Sequence, residues 1–193
     1  GGDTTSSQDR IAINVTAIGR IARAKVKYRS GARENDIVYV TGYLGDSAQG
    51  LLDIRSGVYD SPFIAVHHDP HPCVNEGIWL GNQPEVHAMM DISDGLASDL
   101  PHILEESETG AEISIERIPT RTTVELAVTG GEDYQLLLTV GAEAADRIAA
   151  EYVRHFGKPL YGIGRIRSGA PDIIWSDNRS EERRVGKECR SRW

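Results

Sequence analysis

Apolar and polar residues alternate along this chain with two periodicities, and each periodicity predicts a type of secondary structure. Alternation with a period of two predicts strands, whereas apolar positions three or four residues apart predict amphipathic helices. We predict strands at 11–21, 37–41, 88–90, 111–115, 136–140, 161–166 and 173–175. We predict helices at 46–54, 75–80, 96–106, 122–128 and 142–156. The chain therefore mixes both types of element along most of its length.

The stretch at 89–100 reads MMDISDGLASDL and places Asp91, Asp94 and Asp99 between an apolar run and an amphipathic run. This layout predicts a strand, a tight turn and a helix. Backbone N–H groups at such a helix N-terminus favour anions, and clustered carboxylates favour a hard divalent cation. The stretch therefore predicts a site for phosphate and magnesium. The alternative is plain helix capping, with Asp99 as the N-cap because Pro101 is tolerated only in a first helical turn.

Two other glycine turns carry acidic residues. GGDTT at 1–5 combines backbone donors with Asp3, and GGEDY at 130–134 sets Glu132 and Asp133 just before a predicted strand. Glycine lets the backbone come close to a ligand, although each turn alone is also explained as an ordinary turn with exposed acids. Three acidic glycine turns in one chain are harder to explain in that way, and together they favour a shared ligand.

Composition and charge exclude some classes of partner. The formal net charge is −8 and the pI is about 5.2, which argues against a broad nucleic-acid-binding face. No apolar run approaches the ~20 residues that a membrane span needs. Two cysteines, Cys73 and Cys189, give no disulfide framework, so we expect a reducing cytoplasm.

Two shorter stretches carry residue types that bind ligands in other contexts. HHDPHPC at 67–73 holds zinc-ligand types, but its prolines stiffen the loop and its spacing fits no standard zinc pattern. We therefore predict a surface connection there. The turn at 42–45 precedes a helix whose expected cap is Asp46 or Ser47, with phosphate binding as the alternative.

Changes in composition along the chain suggest three segments. We expect residues 1–27 to hold the GGDTT turn and one strand left from another domain, and residues 28–178 to form an α+β domain. Residues 179–193 contain six basic and three acidic residues and show no apolar period. This last segment resembles a foreign tail and is left out of the expected fold.

The motifs GGDTT, DISDGLASDL and GGEDYQL, in this order and at similar separations, resemble those of the thiamine-monophosphate kinases. These enzymes share a superfamily with aminoimidazole ribonucleotide synthetase, selenophosphate synthetase and a hydrogenase-maturation ATPase. The resemblance covers residues 1–177, and residues 28–51 also look like the family's junction and the start of its C-terminal domain. It implies an α+β fold in which a mixed sheet carries helices on one face, preceded by one strand of the N-terminal domain.

The resemblance also implies a reaction, the ATP-dependent phosphorylation of thiamine monophosphate to thiamine diphosphate by direct transfer with Mg2+. The magnesium ligands that it implies are Asp3, Asp91 and Asp94. The implied contacts to ATP are Gly2, Asp3, Arg29 and Ser93, and the implied contact to thiamine monophosphate is Glu132. No catalytic base is implied, because a phosphate monoester already carries an oxygen able to attack.

The sequence also departs from the family pattern. Family members begin with a domain of roughly a hundred residues that carries further magnesium carboxylates, and only Asp3 and the strand after it match that domain here. Cys73 stands where the family has a basic residue, and the family's C-terminal aromatic contact would lie beyond Asp177. We therefore expect the chain alone to be inactive, and we do not expect it to form the homodimer that family members build through their N-terminal domains.

Two alternatives stay open. One is another ATP-using enzyme of the superfamily, acting on an amidine, a carbamoyl group or selenide. The other is a non-catalytic nucleotide-binding fragment, in which Asp91 and Asp94 would bind Mg-ATP weakly or not at all. Substrate preference distinguishes the first, and calorimetry with Asp→Asn variants distinguishes the second.

Overall fold

The computed structural model of the protein describes residues 15–16 and 18–177, together with the backbone of 183–184. Seven strands form one sheet in this part of the chain. In chain order they are β1 (Ile37–Val40), β2 (Val86–Asp91), β3 (Gly110–Ser114), β4 (Leu136–Val140), β5 (Tyr161–Arg167), β6 (Ile173–Ser176) and β7 (Arg183–Arg184). Their spatial order is β2-β4-β1-β5-β3-β6-β7. Strand β7 lies within residues 179–193, the segment that was left out of the expected fold.

Six α-helices lie between these strands in the described residues. They are α1 (Asp46–Arg55), α2 (Pro62–His68), α3 (Val74–Gly81), α4 (Leu96–Ser107), α5 (Val124–Thr129) and α6 (Ala145–Phe156). Local chemistry explains several boundaries. Ser61 caps α2 ahead of Pro62, Thr123 caps α5, and Gly157 ends α6 in the left-handed conformation. No described helix has both the length and the apolarity of a membrane span.

The pairing of the strands makes the sheet mixed. The central strand β1 pairs antiparallel with β4 and β5, and β2 pairs antiparallel with β4. The strand β3 is antiparallel to β5 but parallel to β6. The expected α+β class with a mixed sheet is therefore confirmed.

The expectation that helices cover only one face of the sheet is wrong. Val38 and Val40 of β1 belong to the apolar cluster that contains α4, whereas Tyr39 belongs to a second cluster that contains Leu80 of α3 and Tyr152 of α6. Because successive side chains of a strand point to opposite faces, helices cover both faces. The continuous apolar runs of β1 and β4, IVYV and LLLTV, are typical of such doubly covered strands.

The strand predicted at 11–21 is wrong over its described part. Residues 15–16 and 18–21 are not in a strand, and Val15, Ile18 and Ile21 are exposed. Alternation gives a stable strand only where a neighbouring strand supplies hydrogen bonds, and no described strand pairs with this segment. Residues 11–14 and 17 lie outside the described residues.

The helix α4 begins earlier than the capping alternative required. Its N-cap is Gly95 rather than Asp99, and Pro101 lies in the helix interior. The fully buried Leu100, Ile103 and Leu104 anchor the helix against the sheet on both sides of the proline. This packing outweighs the backbone hydrogen bond that the proline cannot make.

Candidate functional site

Two of the three acidic glycine turns meet in the structure. We call residues 91–95 the aspartate bend and residues 130–134 the glutamate bend. The backbone N–H of Glu132 donates to the carbonyl of Ser93 at 2.8 Å, and that of Tyr134 donates to the carbonyl of Ile92 at 2.9 Å. The N–H of Ile92 donates in return to the carbonyl of Gln135 at 2.7 Å. The two bends are therefore joined by backbone hydrogen bonds, like short extensions of β2 and β4.

Glycine is required where the bends touch. A Cβ atom at Gly131 would lie 2.5 Å from the carbonyl oxygen of Ser93. Gly95 has a φ of +101°, and a Cβ atom there would lie 2.9 Å from the carbonyl oxygen of Gly130. A larger residue at either position would push the bends apart. The glycines thus serve the contact between the two bends.

A cavity of about 520 Å³ opens between the two bends and the first two helices. We call it the bend cavity. Its lining residues come from both bends, α1 and α2: Ser47, Ala48, Leu51, His67, Ser93, Asp94, Gly131 and Glu132. The structure therefore brings together three of the residues singled out from the sequence, namely Ser93, Asp94 and Glu132. The size is within the range of small-molecule sites.

The other residues singled out from the sequence lie elsewhere. Asp91 is the exposed last residue of β2, and Arg29 is exposed in a single 3₁₀ turn at Arg29–Gly31. Neither lines the bend cavity. Gly2 and Asp3 lie outside the described residues. The third acidic glycine turn, GGDTT at 1–5, therefore lies outside the described residues.

The exposed aspartates of the first bend have the chemistry of magnesium ligands. Among the described residues, neither the carboxylate of Asp91 nor that of Asp94 has a hydrogen-bond or ion-pair partner, and both residues are exposed. The described residues contain no group of three or more His, Cys, Asp or Glu side chains that could hold a metal. Magnesium is often bound by one or two carboxylates together with waters and phosphate oxygens, so two free carboxylates fit it.

The buried acid associated with each bend has a different role. Asp99 is 1% exposed, and its carboxylate accepts the N–H groups of Ser93 and Asp94 at 2.9 and 3.0 Å. Burial raises the pKa of Asp99, with the bonds from these backbone groups acting against the rise. The carboxylate of Asp99 thus fixes the backbone of the aspartate bend from within.

Asp133 likewise fixes backbone N–H groups, but those of a distant element, the start of α1. It is 5% exposed, and its carboxylate accepts the N–H of Gly45 at 2.7 Å and that of Ser47 at 3.2 Å. Burial raises the pKa of Asp133, and the backbone bonds again oppose the rise. Asp133 therefore caps α1, and the prediction that Asp46 or Ser47 caps this helix is wrong. With these N–H groups occupied, phosphate binding at that turn has no support.

A second cavity of about 430 Å³ also adjoins the start of α1. Its walls include Asp46, which accepts a hydrogen bond from Arg121 Nε at 3.0 Å, and Tyr43, whose ring centroid lies 4.9 Å from the Arg121 guanidinium carbon. Arg121 thus pairs with Asp46 Oδ2, whereas the buried Asp46 Oδ1 has no hydrogen-bond partner among the described residues. His71 and Pro70 also line this cavity.

The stretch at 67–73 is only partly the surface connection that the sequence predicted. His67 and His68 belong to α2, a helix that the sequence analysis missed. Cys73 is buried, and its Sγ lies 3.5 Å from Thr41 Oγ1 and 3.5 Å from Gln135 Oε1. His67 was not predicted as a residue of this site, because only the packing of α2 on α1 brings it to the bend cavity.

Comparison with known proteins gives a consistent result. The family described as AIR synthase related protein, C-terminal domain, matches residues 33–175. The chain is 34% identical to a thiamine-monophosphate kinase of Haemophilus influenzae, covering 90% of the chain and 56% of that protein. It is 36% identical to that of Bacillus subtilis, covering 86% of the chain and 55% of that protein. The chain thus spans about half the length of the curated relatives it matches.

Solved structures show the same similarity. A thiamine-monophosphate kinase from Stenotrophomonas maltophilia matches with a TM-score of 0.73 and 26% identity, over 82% of this chain and 54% of that one. The structure described as AaThiL complexed with AMPPCP and TMP matches with a TM-score of 0.64 and 28% identity, over 81% and 53%. Escherichia coli HypE, a hydrogenase maturation protein, matches with a TM-score of 0.69 but 21% identity, over 83% and 52%, and so shares the fold alone.

Proposed function

The chain belongs to the family of AIR synthase related proteins through their C-terminal domain, and from that premise we propose that it serves ATP-dependent phosphorylation of thiamine monophosphate to thiamine diphosphate. The observation that carries the proposal is the bend cavity, in which Ser93 and Asp94 face Gly131 and Glu132. Similarity to thiamine-monophosphate kinases, and to a structure that holds an ATP analogue and TMP, supports this assignment.

In this proposal the two bends hold different ligands. Ser93 and Arg29 contact ATP, and Asp91 and Asp94 bind the magnesium that accompanies it. Glu132 contacts thiamine monophosphate from the opposite side of the cavity. Gly2 and Asp3 keep their proposed roles in binding nucleotide and metal. The arrangement is supported by the contact between the bends and by the free carboxylates of the aspartate bend.

Positioning and charge account for the chemistry that such a site can perform. Magnesium, when bound, supplies positive charge that neutralises phosphate oxygens and aligns them for an in-line transfer. The chain's own contribution is to hold two ligands at a fixed separation, because backbone hydrogen bonds join the bends. No side chain needs to remove a proton, since the attacking phosphate oxygen is already anionic.

The proposed partners are the small molecules ATP and thiamine monophosphate, in the cytoplasm, with no nucleic acid and no membrane. The net charge of −8 supports the absence of a nucleic-acid partner. We propose that any homodimer depends on parts of the relatives that this chain does not cover.

The direct test is turnover. The 193-residue chain and a fusion that adds the uncovered half of the Bacillus subtilis relative are incubated with ATP, Mg2+ and thiamine monophosphate, and thiamine diphosphate is followed by chromatography. We expect product from the fusion and none from the chain alone. Asp91→Asn and Asp94→Asn in the fusion should each abolish product. A fusion that ignores thiamine monophosphate but consumes ATP with an amidine, a carbamoyl compound or selenide would overturn the proposal.

A further inference from the structure

A histidine outside both bends reaches into the bend cavity. His67 Nδ1 lies 2.9 Å from Ser47 Oγ and 3.7 Å from Glu132 Oε2. All three residues line the bend cavity. The side chain of His67 is 18% exposed, whereas that of Glu132 is 60% exposed. A largely buried imidazole therefore contacts the exposed acid of the glutamate bend.

The approach of the two helices makes this contact possible. Gly50 lies inside α1, and a Cβ atom there would lie 2.9 Å from His67 Cβ. Because Gly50 has no side chain, α2 can pack directly against the backbone of α1. Ser47 lies one turn earlier on α1 and is 1% exposed, so its hydroxyl holds the imidazole from the buried side.

Ser47 Oγ can donate to Nδ1 or accept from it, so only the approach of Glu132 distinguishes the two tautomers of His67. An ionised carboxylate offers only lone pairs, so an unprotonated Nδ1 would set its own lone pair against Glu132 Oε2. A protonated Nδ1 donates to Ser47 Oγ and also faces Glu132 with its positive edge. In that arrangement Ser47 Oγ accepts from His67, and the hydroxyl proton of Ser47 is free to donate into the bend cavity.

We propose that His67 is a positioning residue, whose Nδ1–H orients Glu132 and Ser47 towards the ligand in the bend cavity. The inference rests on the proposed function, in which Glu132 contacts thiamine monophosphate. The backbone of Glu132 is held by the hydrogen bond from its N–H to the carbonyl of Ser93, whereas its exposed side chain would otherwise be free to rotate. Removing rotational freedom from the carboxylate before the ligand arrives strengthens binding.

The first experiment needs no ligand. The 193-residue chain is labelled with ¹⁵N-histidine, and long-range ¹H–¹⁵N spectra near neutral pH show which ring nitrogen of His67 carries a proton. We expect a protonated Nδ1, and we expect Ser47→Ala and Glu132→Gln each to move its resonance. His68, whose ring centroid lies 5.8 Å away on the same helix, is exposed and provides the internal control. An unprotonated Nδ1 would overturn the proposal.

The second experiment measures binding of thiamine monophosphate and of Mg-ATP by calorimetry. His67→Leu should weaken binding of thiamine monophosphate by about tenfold, because the carboxylate loses its partner. His67→Asn places an amide near the former Nδ1 and should restore affinity to within about threefold, whereas His67→Gln, whose amide lies near Nε2, should not. His68→Gln should behave like wild type, and none of these variants should change the affinity for Mg-ATP.

The outcomes separate the two proposals. A His67→Leu variant that keeps full affinity, or weakens both ligands equally, contradicts the positioning role while leaving the proposed function intact. A wild-type chain that binds neither ligand contradicts the proposed function for this chain, and the ligand-free spectra then decide the role of His67 alone. Melting temperatures of all variants show whether any loss of affinity comes from unfolding.

Discussion

The aspartate bend and the glutamate bend are built alike but are anchored differently. Each bend has an exposed acid that lines the bend cavity, Asp94 or Glu132. A buried acid that accepts backbone N–H groups accompanies each: Asp99, which lies in α4, for the aspartate bend, and Asp133 for the glutamate bend. Asp99 binds its own bend, five and six residues earlier in the chain. Asp133 instead binds the start of α1, which is 86 and 88 residues away. One bend is therefore held locally, and the other ties the cavity to the rest of the fold.

This difference shows that residue type alone does not define a role. An acid beside a glycine turn binds backbone when burial removes it from water, and it stays available for a ligand when exposed. The exposed acids should therefore affect binding and leave stability unchanged. The buried acids should affect stability, and the one with distant partners should affect it more.

The largest expected effect on stability comes from a substitution that forces the two bends apart. Gly131→Ala places a methyl group 2.5 Å from the carbonyl oxygen of Ser93, so the bends must move apart. We expect the free energy of unfolding to fall by about 3 kcal/mol in urea titrations. Gly77→Ala is the matched control, since its new methyl would meet only Leu136 at 3.6 Å and the site lies inside α3. An equal loss in both variants would contradict the proposed contact.

The next largest effect on stability is expected from replacing Asp133, whose carboxylate caps the distant helix α1. Asp133 uses both carboxylate oxygens, one for Gly45 and one for Ser47, so Asp133→Asn must place its amide nitrogen against a backbone N–H. We expect a loss of about 2 kcal/mol in the free energy of unfolding. The neighbouring Glu132→Gln should stay within about 0.5 kcal/mol of wild type. A stable Asp133→Asn variant would show that α1 does not need this cap.

Asp99 should matter less than Asp133. Its two bonds to Ser93 and Asp94 use the same oxygen, Oδ2, and Asp99→Asn can keep that acceptor. We expect a loss of about 1 kcal/mol, measured by the same urea titrations. A loss greater than that of Asp133→Asn would reverse the ranking of the two anchors.

The smallest expected effect is a pH dependence. Burial raises the pKa of Asp133, so the folded chain binds this proton more tightly than the unfolded chain does. The stabilisation from this proton is present at low pH and is lost as pH rises through the raised pKa. The unfolding free energy of wild type minus that of Asp133→Asn should therefore increase as pH falls towards the ordinary value of about 3.9. A difference that is constant or decreases on acidification would contradict the raised pKa.

The sequence predicted the long periodic elements well and the short or unpaired ones poorly. The strand at 136–140 was predicted with its observed limits, and the helix at 142–156 differs only at its start. The helix α2 was missed because Pro62 and two histidines hide its short apolar pattern. The strand at 11–21 was predicted from alternation, which carries no information about a pairing partner.

The candidate site was also predictable only in part, because some of its residues are placed by contacts with distant parts of the chain. Glycine and acidic residues marked both bends, and the structure brings Ser93, Asp94 and Glu132 to one cavity. Nothing local indicated that Asp133 would cap α1. Likewise, His67 reaches the cavity only because Gly50 permits close helix packing. Contacts between residues distant in the chain carry no sequence signature of their own, although they decide which acids remain free.

The central claim is that the exposed acids of the two bends divide the ligands between them. Calorimetry of the 193-residue chain with Mg-ATP and with thiamine monophosphate tests it directly. We expect Asp94→Asn to weaken Mg-ATP binding by about tenfold with thiamine monophosphate unaffected, and Glu132→Gln to do the reverse. If either variant weakens both ligands equally, or if neither changes any affinity, the division between the bends is wrong.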